Sequence, residues 1–127
     1  VLEHIENNEL IAKAGRMGAR LIAALEETLD DIPYVGDIRG KGLFAGVELV
    51  SDRKTKQPFP TNANIGHRIE HTAIKKGLLV LAGVPGLVQG IGGDHIELVP
   101  PYVIDDNHVE FIVTTLRESI LEVCENA

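Results

Sequence analysis

The side chains with the most chemical reach here are two histidine–acid groupings, one glycine-rich run and a single cysteine. His95 and Glu97 alternate with Ile96 and Leu98 in Asp94–Val99, so on an extended strand they share the face opposite the aliphatic pair. Glu48 takes the corresponding face of an earlier strand, opposite Leu43, Ala45, Val47 and Leu49. An imidazole and two carboxylates are ligand types for zinc or manganese. Nothing in their spacing selects a metal, however, and a polar sheet face accounts for the same pattern. His67 and His71 have the i, i+4 spacing of a helical metal pair, yet the glutamate between them stands at position 70, outside the HExxH arrangement. Exposed helix histidines explain them. Gly90-Ile-Gly-Gly93 invites a phosphate, but a strand follows it where the dinucleotide and P-loop motifs need a helix. Cys124 lies near the end of an amphipathic segment and reads as a structural thiol. There is no Gly-x-Ser-x-Gly elbow. These residues make no self-sufficient active site: no catalytic set, no cofactor site and no metal site.

The elements that must position them follow from periodicity. Leu10, Ala14, Met17, Leu21, Leu25 and Leu29 recur at three and four, which predicts one helix from about residue 3 to about residue 31, stopped by Pro33. Gly15 and Gly18, poor helix formers, each point to close packing against another element. Strands follow on either side of Arg39-Gly-Lys-Gly42, where the two glycines favour a bulge or sharp bend over a simple two-residue hairpin. Ser51–Pro60 is a polar loop. A second helix starts near Thr61 or Asn62, turns Ile65, Ile69 and Ala73 inward, and stops at Gly77. Leu78–Leu81 reads as a short strand and Gly83–Gly93 as a mobile or tightly turned loop. Asp94–Val99 is the next strand, ended by Pro100-Pro101. Asp105 or Asp106 caps a last helix with Val109, Ile112, Leu116, Ile120 and Val123 inward. The order αββαββα, without long crossovers, predicts an α+β domain: a small antiparallel or mixed four-stranded sheet with helices packed on one face.

Composition narrows the function classes. The 127 residues suit one domain, 1–127, and 44% hydrophobic residues supply one core. A net charge of −7 and a pI near 5.1 leave no electrostatic footprint for nucleic acid, and scattered Lys and Arg give no basic membrane face. No apolar run approaches the ~20 residues of a membrane span. A lone cysteine suits a reducing cytosol, so a cytoplasmic location is expected. Val1 opens the chain inside a helical pattern and without methionine, as a piece of something longer would.

The pattern Val35-x-Asp-Ile-Arg39-Gly40-Lys-Gly42-Leu-x-x-Gly46-Val-Glu48-Leu resembles the opening strands of the C-terminal small domain of class III aminotransferases. Gly93-Asp94-His95-Ile96 leading to Pro100-Pro101 and a helix cap resembles that domain's final strand. The similarity runs in order over essentially all 127 residues. It implies a dimeric, fold-type I parent whose large domain carries pyridoxal phosphate (PLP) and the Schiff-base lysine, the cofactor serving as electron sink during amino transfer. None of Lys13, Lys41, Lys54, Lys56, Lys75 or Lys76 lies in a matching motif, so this chain alone is expected to be inactive.

The resemblance further implies that the small domain supplies a wall of the substrate cleft. Many members hold a substrate carboxylate with an arginine near the last strand. Here no arginine occurs between Arg68 and Arg117. That departure points to amines or ω-amino acids as donors and a keto acid such as pyruvate as acceptor, within the ω-amino acid/amine:pyruvate group. The cleft or interdomain candidates are Arg39, Phe44, Asp94 and His95. Arg39 at its corner reads first as fixing interdomain geometry; Asp94 and His95 line the cleft mouth or are ordinary loop-to-strand residues; Phe44 contacts the missing domain or merely covers the sheet. The competing reading is a free-standing, non-catalytic regulatory or interaction module docking through its bare sheet face.

Overall fold

The computed structural model describes residues 1–127. Helices α1 (Leu2–Asn7) and α2 (Leu10–Leu29) precede strands β1 (Val35–Lys41) and β2 (Phe44–Leu49). A 3-10 turn (Thr61–Ala63) leads into α3 (Ile65–Lys75); β3 (Leu81–Ala82), β4 (Asp94–Leu98) and α4 (Asp106–Cys124) complete the chain. The sheet order is β1-β2-β4-β3, and every neighbouring pair is antiparallel. This is the α+β domain expected from the sequence, with an antiparallel sheet.

Its two faces differ as the alternation requires. Leu43, Ala45, Val47, Leu49, Ile96 and Leu98 are buried together with Leu21, Leu25, Ile69, Leu116 and Ile120 of the helices. Helices α2 and α3 lie on the sheet, and α4 packs against both. Each fully buried aliphatic side chain stabilises the fold by about 1.5–3 kcal/mol, so this common core decides which face the helices cover. Phe44, Gly46, Glu48, His95 and Glu97 take the opposite face and stay partly or fully exposed. An antiparallel sheet tolerates such a one-sided arrangement because its polar face can be left to solvent or to a partner.

Several local expectations are corrected. The first helix is broken: Glu9 adopts a left-handed backbone (φ 48°), and α1 buries no residue. The apolar repeat starts only at Leu10, so nothing holds the preceding turn to the core. The Arg39–Gly42 corner is a two-residue hairpin after all, with Lys41 opposite Phe44 and Gly42 at φ 57°, the sign a tight primed turn needs at its first central position. The first of the two glycines, Gly40, serves packing and not the turn: a Cβ there would meet the Ala45 Cα at 2.9 Å and Ile22 Cδ1 at 3.0 Å. The ladder irregularity lies instead between Val35 and Asp37. Of the two helix glycines, Gly18 abuts the backbone of Gly42, while Gly15 has nothing near it. The short strand is displaced to Leu81–Ala82, and β4 ends at Leu98.

The remaining helix ends carry identifiable caps. Asn64, not Thr61 or Asn62, precedes α3, and it makes no side-chain cap bond. The Gly66 N–H donates instead to Asp94 Oδ1 at 2.9 Å, so β4 satisfies the start of α3. Asp105 caps α4 reciprocally: its Oδ1 accepts from the His108 N–H, and His108 Nδ1 accepts from the Asp105 N–H, both at 3.1 Å.

Candidate functional site

Register fixes what the open face presents. Arg39 on β1 stands opposite Gly46 on β2, which stands opposite Glu97 on β4. One step along, Asp37 stands opposite Glu48 and Glu48 opposite His95. A cation and a carboxylate thus flank a strand position that has no side chain. The resulting open depression, about 520 Å³, is lined by Arg39, Phe44, Gly46, Glu48, Leu87, His95 and Glu97 among others.

The polar groups of this face are partly engaged with one another. Arg39 Nη1 donates to Asp37 Oδ2 at 3.0 Å, an exposed pair that neighbouring charge can redirect at little cost. His95 Nε2 lies 3.1 Å from Glu97 Oε1, with both side chains about one-quarter to one-third exposed (26% and 34%). Asp37 and Glu48 are like charges directly across the ladder and disfavour each other. The arrangement can meet a ligand with charged groups and with the apolar surfaces of Phe44 and Leu87.

Of the four residues singled out from sequence, Arg39, Phe44 and His95 come together around this depression. Asp94 does not. It is 2% exposed and lies on the helix-covered side, where Oδ1 holds the Gly66 N–H and Oδ2 has no partner. Alternation along β4 places it with Ile96 and Leu98, away from His95. Sequence reasoning missed Gly46 as the floor and Leu87 as part of the wall. The glycine within the strand pattern was the available signal for the first; the second depends on how residues 83–93 fold back, which no periodicity encodes. That loop is pinned by Thr61 Oγ1 donating to the Ile91 carbonyl (2.7 Å) and by bridges of Gly92 to Pro60 and Val88.

Elsewhere the reactive side chains are quiet. Burial pushes the Cys124 thiol up to about 12, so no thiolate forms near neutrality. His67 bonds Glu70 at 3.2 Å on an exposed helix face. No group of three or more His, Cys, Asp or Glu side chains gathers as a metal site. No helix is long and apolar enough to cross a membrane.

Comparison with known proteins gives a consistent picture. The family model for class III aminotransferases matches residues 1–120. An uncharacterized aminotransferase of Schizosaccharomyces pombe is 37% identical over 116 residues, covering 91% of this chain and 25% of the relative. A Bacillus anthracis aminotransferase structure superposes with a TM-score of 0.83 at 35% identity, covering 95% of this chain and 26% of that one. An amine transaminase from an uncultivated Pseudomonas species, solved in its PLP-bound form, gives 0.80 at 30% identity, covering 96% and 26%. Omega-transaminases also stand among the similar structures. The chain therefore spans about a quarter of the length of the relatives it matches.

Proposed function

This chain belongs to the class III aminotransferases, and from that premise we propose that it is the C-terminal small domain of a longer, PLP-dependent transaminase. One observation carries the reading: a family member about a quarter as long as its relatives holds a sheet clothed by helices on one side only. The bare side suits a second domain better than bulk water, because its depression combines an aromatic and a leucine with charged groups.

The chain's own residues do not fit PLP. The cofactor's aldehyde needs a shielded lysine amine, and its phosphate a cradle of donors. No lysine is buried: Lys13 is half-buried and the other five are exposed. Lys56 is tied to the Gly36 carbonyl, and Lys76 to Glu118 and Glu122. The Schiff-base lysine and the cofactor accordingly belong to a large domain outside this chain. When bound there, PLP supplies the electron sink for amino transfer.

Within that enzyme the small domain forms a wall of the substrate cleft. Arg39 sets the geometry of the domain junction, Phe44 packs at it, and His95 with Glu97 presents polar groups to the incoming amine. Asp94 acts from behind, tying β4 to α3. The donor is an amine or ω-amino acid and the acceptor a keto acid such as pyruvate, because no arginine occurs between Arg68 and Arg117, the stretch that holds the last strand and its approach, and amine and omega-transaminases are among the similar structures. The parent works as a cytoplasmic homodimer. A free-standing interaction module is the less favoured reading, since the relatives are enzymes.

The test is direct. The longest natural product containing this chain, loaded with PLP, should convert pyruvate to alanine with an ω-amine as donor; the 127-residue chain alone should not. Transfer by the short chain alone, or none by the long one, overturns the reading.

A further inference from the structure

Gly83 follows β3 directly, and its N–H donates to the His95 carbonyl at 2.9 Å, continuing the ladder in which Leu81 faces Glu97 and Ala82 faces Ile96. Residues 83 and 95 are thus cross-strand neighbours. A Cβ built on Gly83 would overlap the imidazole ring of His95, 1.8 Å from Cε1, 2.1 Å from Nε2 and 2.4 Å from Nδ1. The ring therefore occupies the space that any other residue at 83 would fill. Backbone strain gives no competing reason for glycine here, because Gly83 is not among the positive-φ glycines of the chain. Glu97 completes the constraint by holding Nε2 at 3.1 Å.

We propose that Gly83 is a positioning residue: by vacating its side-chain volume it seats His95 against the sheet, so that the Glu97–His95 pair is presented in one orientation on the open face. In the neutral ring, a bond from Nε2 to the Glu97 carboxylate places the proton on that nitrogen and leaves Nδ1 as the acceptor. A ring held so suits a hydrogen-donating ligand such as a protonated amine. That last consequence rests on the aminotransferase reading; the seating does not.

A double-mutant cycle separates the two. In the purified protein, Gly83→Ala should lower the folded-to-unfolded ratio by about tenfold or more, as overpacking does. It should also remove the Nε2–H tautomer signature of His95 from imidazole ¹⁵N spectra. In a His95→Ala background the same change should alter the ratio by less than about twofold, the coupling expected of residues in contact. An equal loss in both backgrounds overturns the proposal. If Gly83→Ala alone does not fold, the double variant decides: recovery of the fold supports the seating, and failure to recover where His95→Ala folds overturns it. In the longer enzyme, Gly83→Ala and His95→Ala should each raise KM for the amine by about tenfold, the scale of one lost hydrogen bond to a charged group. A rise with His95→Ala and none with Gly83→Ala removes the positioning role. No amine transfer in the unmutated enzyme removes the functional reading and leaves the coupling measurement standing.

Discussion

Arg117 fastens α4 to the end of α2 with one side chain. Its two terminal nitrogens donate to Asp31 Oδ1 and Oδ2 at 2.5 and 2.8 Å, and Nη1 also donates to the Thr28 carbonyl at 2.6 Å. The fork matches a carboxylate bidentately while satisfying a carbonyl that the helix end leaves open. The hydrogen bond from Arg117, aided by its charge, holds the Asp31 carboxyl below its ordinary 3.8. A carboxylate whose folded-state value is depressed favours folding above its ordinary value. That contribution is lost as pH falls through the lower folded value. Asp31→Asn should therefore be less stable than the natural protein near neutrality, with the gap closing as acid is added. Urea midpoints measured from about pH 6 to about pH 2.5 follow the titration of this group; a gap that stays constant across that range would show the carboxylate charge to be idle. The pair is exposed, so the effect is modest. Cys124, by contrast, is kept a thiol near neutrality chiefly by burial.

At the scale of elements, two glycines three residues apart on α2 meet opposite surroundings. Helix propensity alone makes either Gly→Ala change stabilising by up to about 1 kcal/mol. Gly15 has no neighbour within 4 Å, so Gly15→Ala should realise about 0.5–1 kcal/mol of that gain. At Gly18 an added methyl would overlap the Gly42 backbone, which cannot rotate aside as a side chain can. Gly18→Ala should then cost about 1–3 kcal/mol. Chemical denaturation of the two variants, read side by side, should give opposite signs; a shared sign would mean that α2 does not approach the β1–β2 turn as described. The sequence could not tell these glycines apart, because both interrupt the same helical repeat and only the partner element distinguishes them. The same limit explains the other differences. Helix α4 was legible because five aliphatic residues at regular spacing and an aspartate cap agree. The break at Glu9 and the cap supplied to α3 by Asp94 depend on contacts across 28 residues or on their absence, and periodicity carries no such information.

For the molecule as a whole, the sheet's polarity was the legible part of the site and its pairing was not. Period-two alternation alone assigned Glu48, His95 and Glu97 to the uncovered face, whereas Asp94, grouped with His95 at the cleft mouth, lies on the covered side. Which of these groups touch depends on register, and register follows from the two-residue turn after Lys41 and the irregularity between Val35 and Asp37, neither of which periodicity locates. Exposed aliphatic side chains also gather in one stretch of the chain. Leu79, Val84, Leu87, Ile91, Val99 and Val103 are each more than half exposed, and all fall between residues 79 and 103. Exposed aliphatics are ordinary, and of these only Leu87 lines the depression, while Leu79, Val99 and Val103 line a groove against α4. Phe44, 56% exposed, sits where the depression meets the tip of the hairpin. Replacing it by threonine keeps a good strand former and removes only exposed aromatic surface. Phe44→Thr should shift the stability of the chain by no more than about 0.5 kcal/mol. If this face closes on a second domain, the same change in the longer enzyme should reduce amine-transfer kcat/KM by about tenfold, the scale of losing one aromatic anchor at an interface. Unchanged stability with impaired catalysis assigns Phe44 to the junction. Loss of stability in the short chain makes it a core residue instead, and no change in either measurement leaves the bare face without a role at this position.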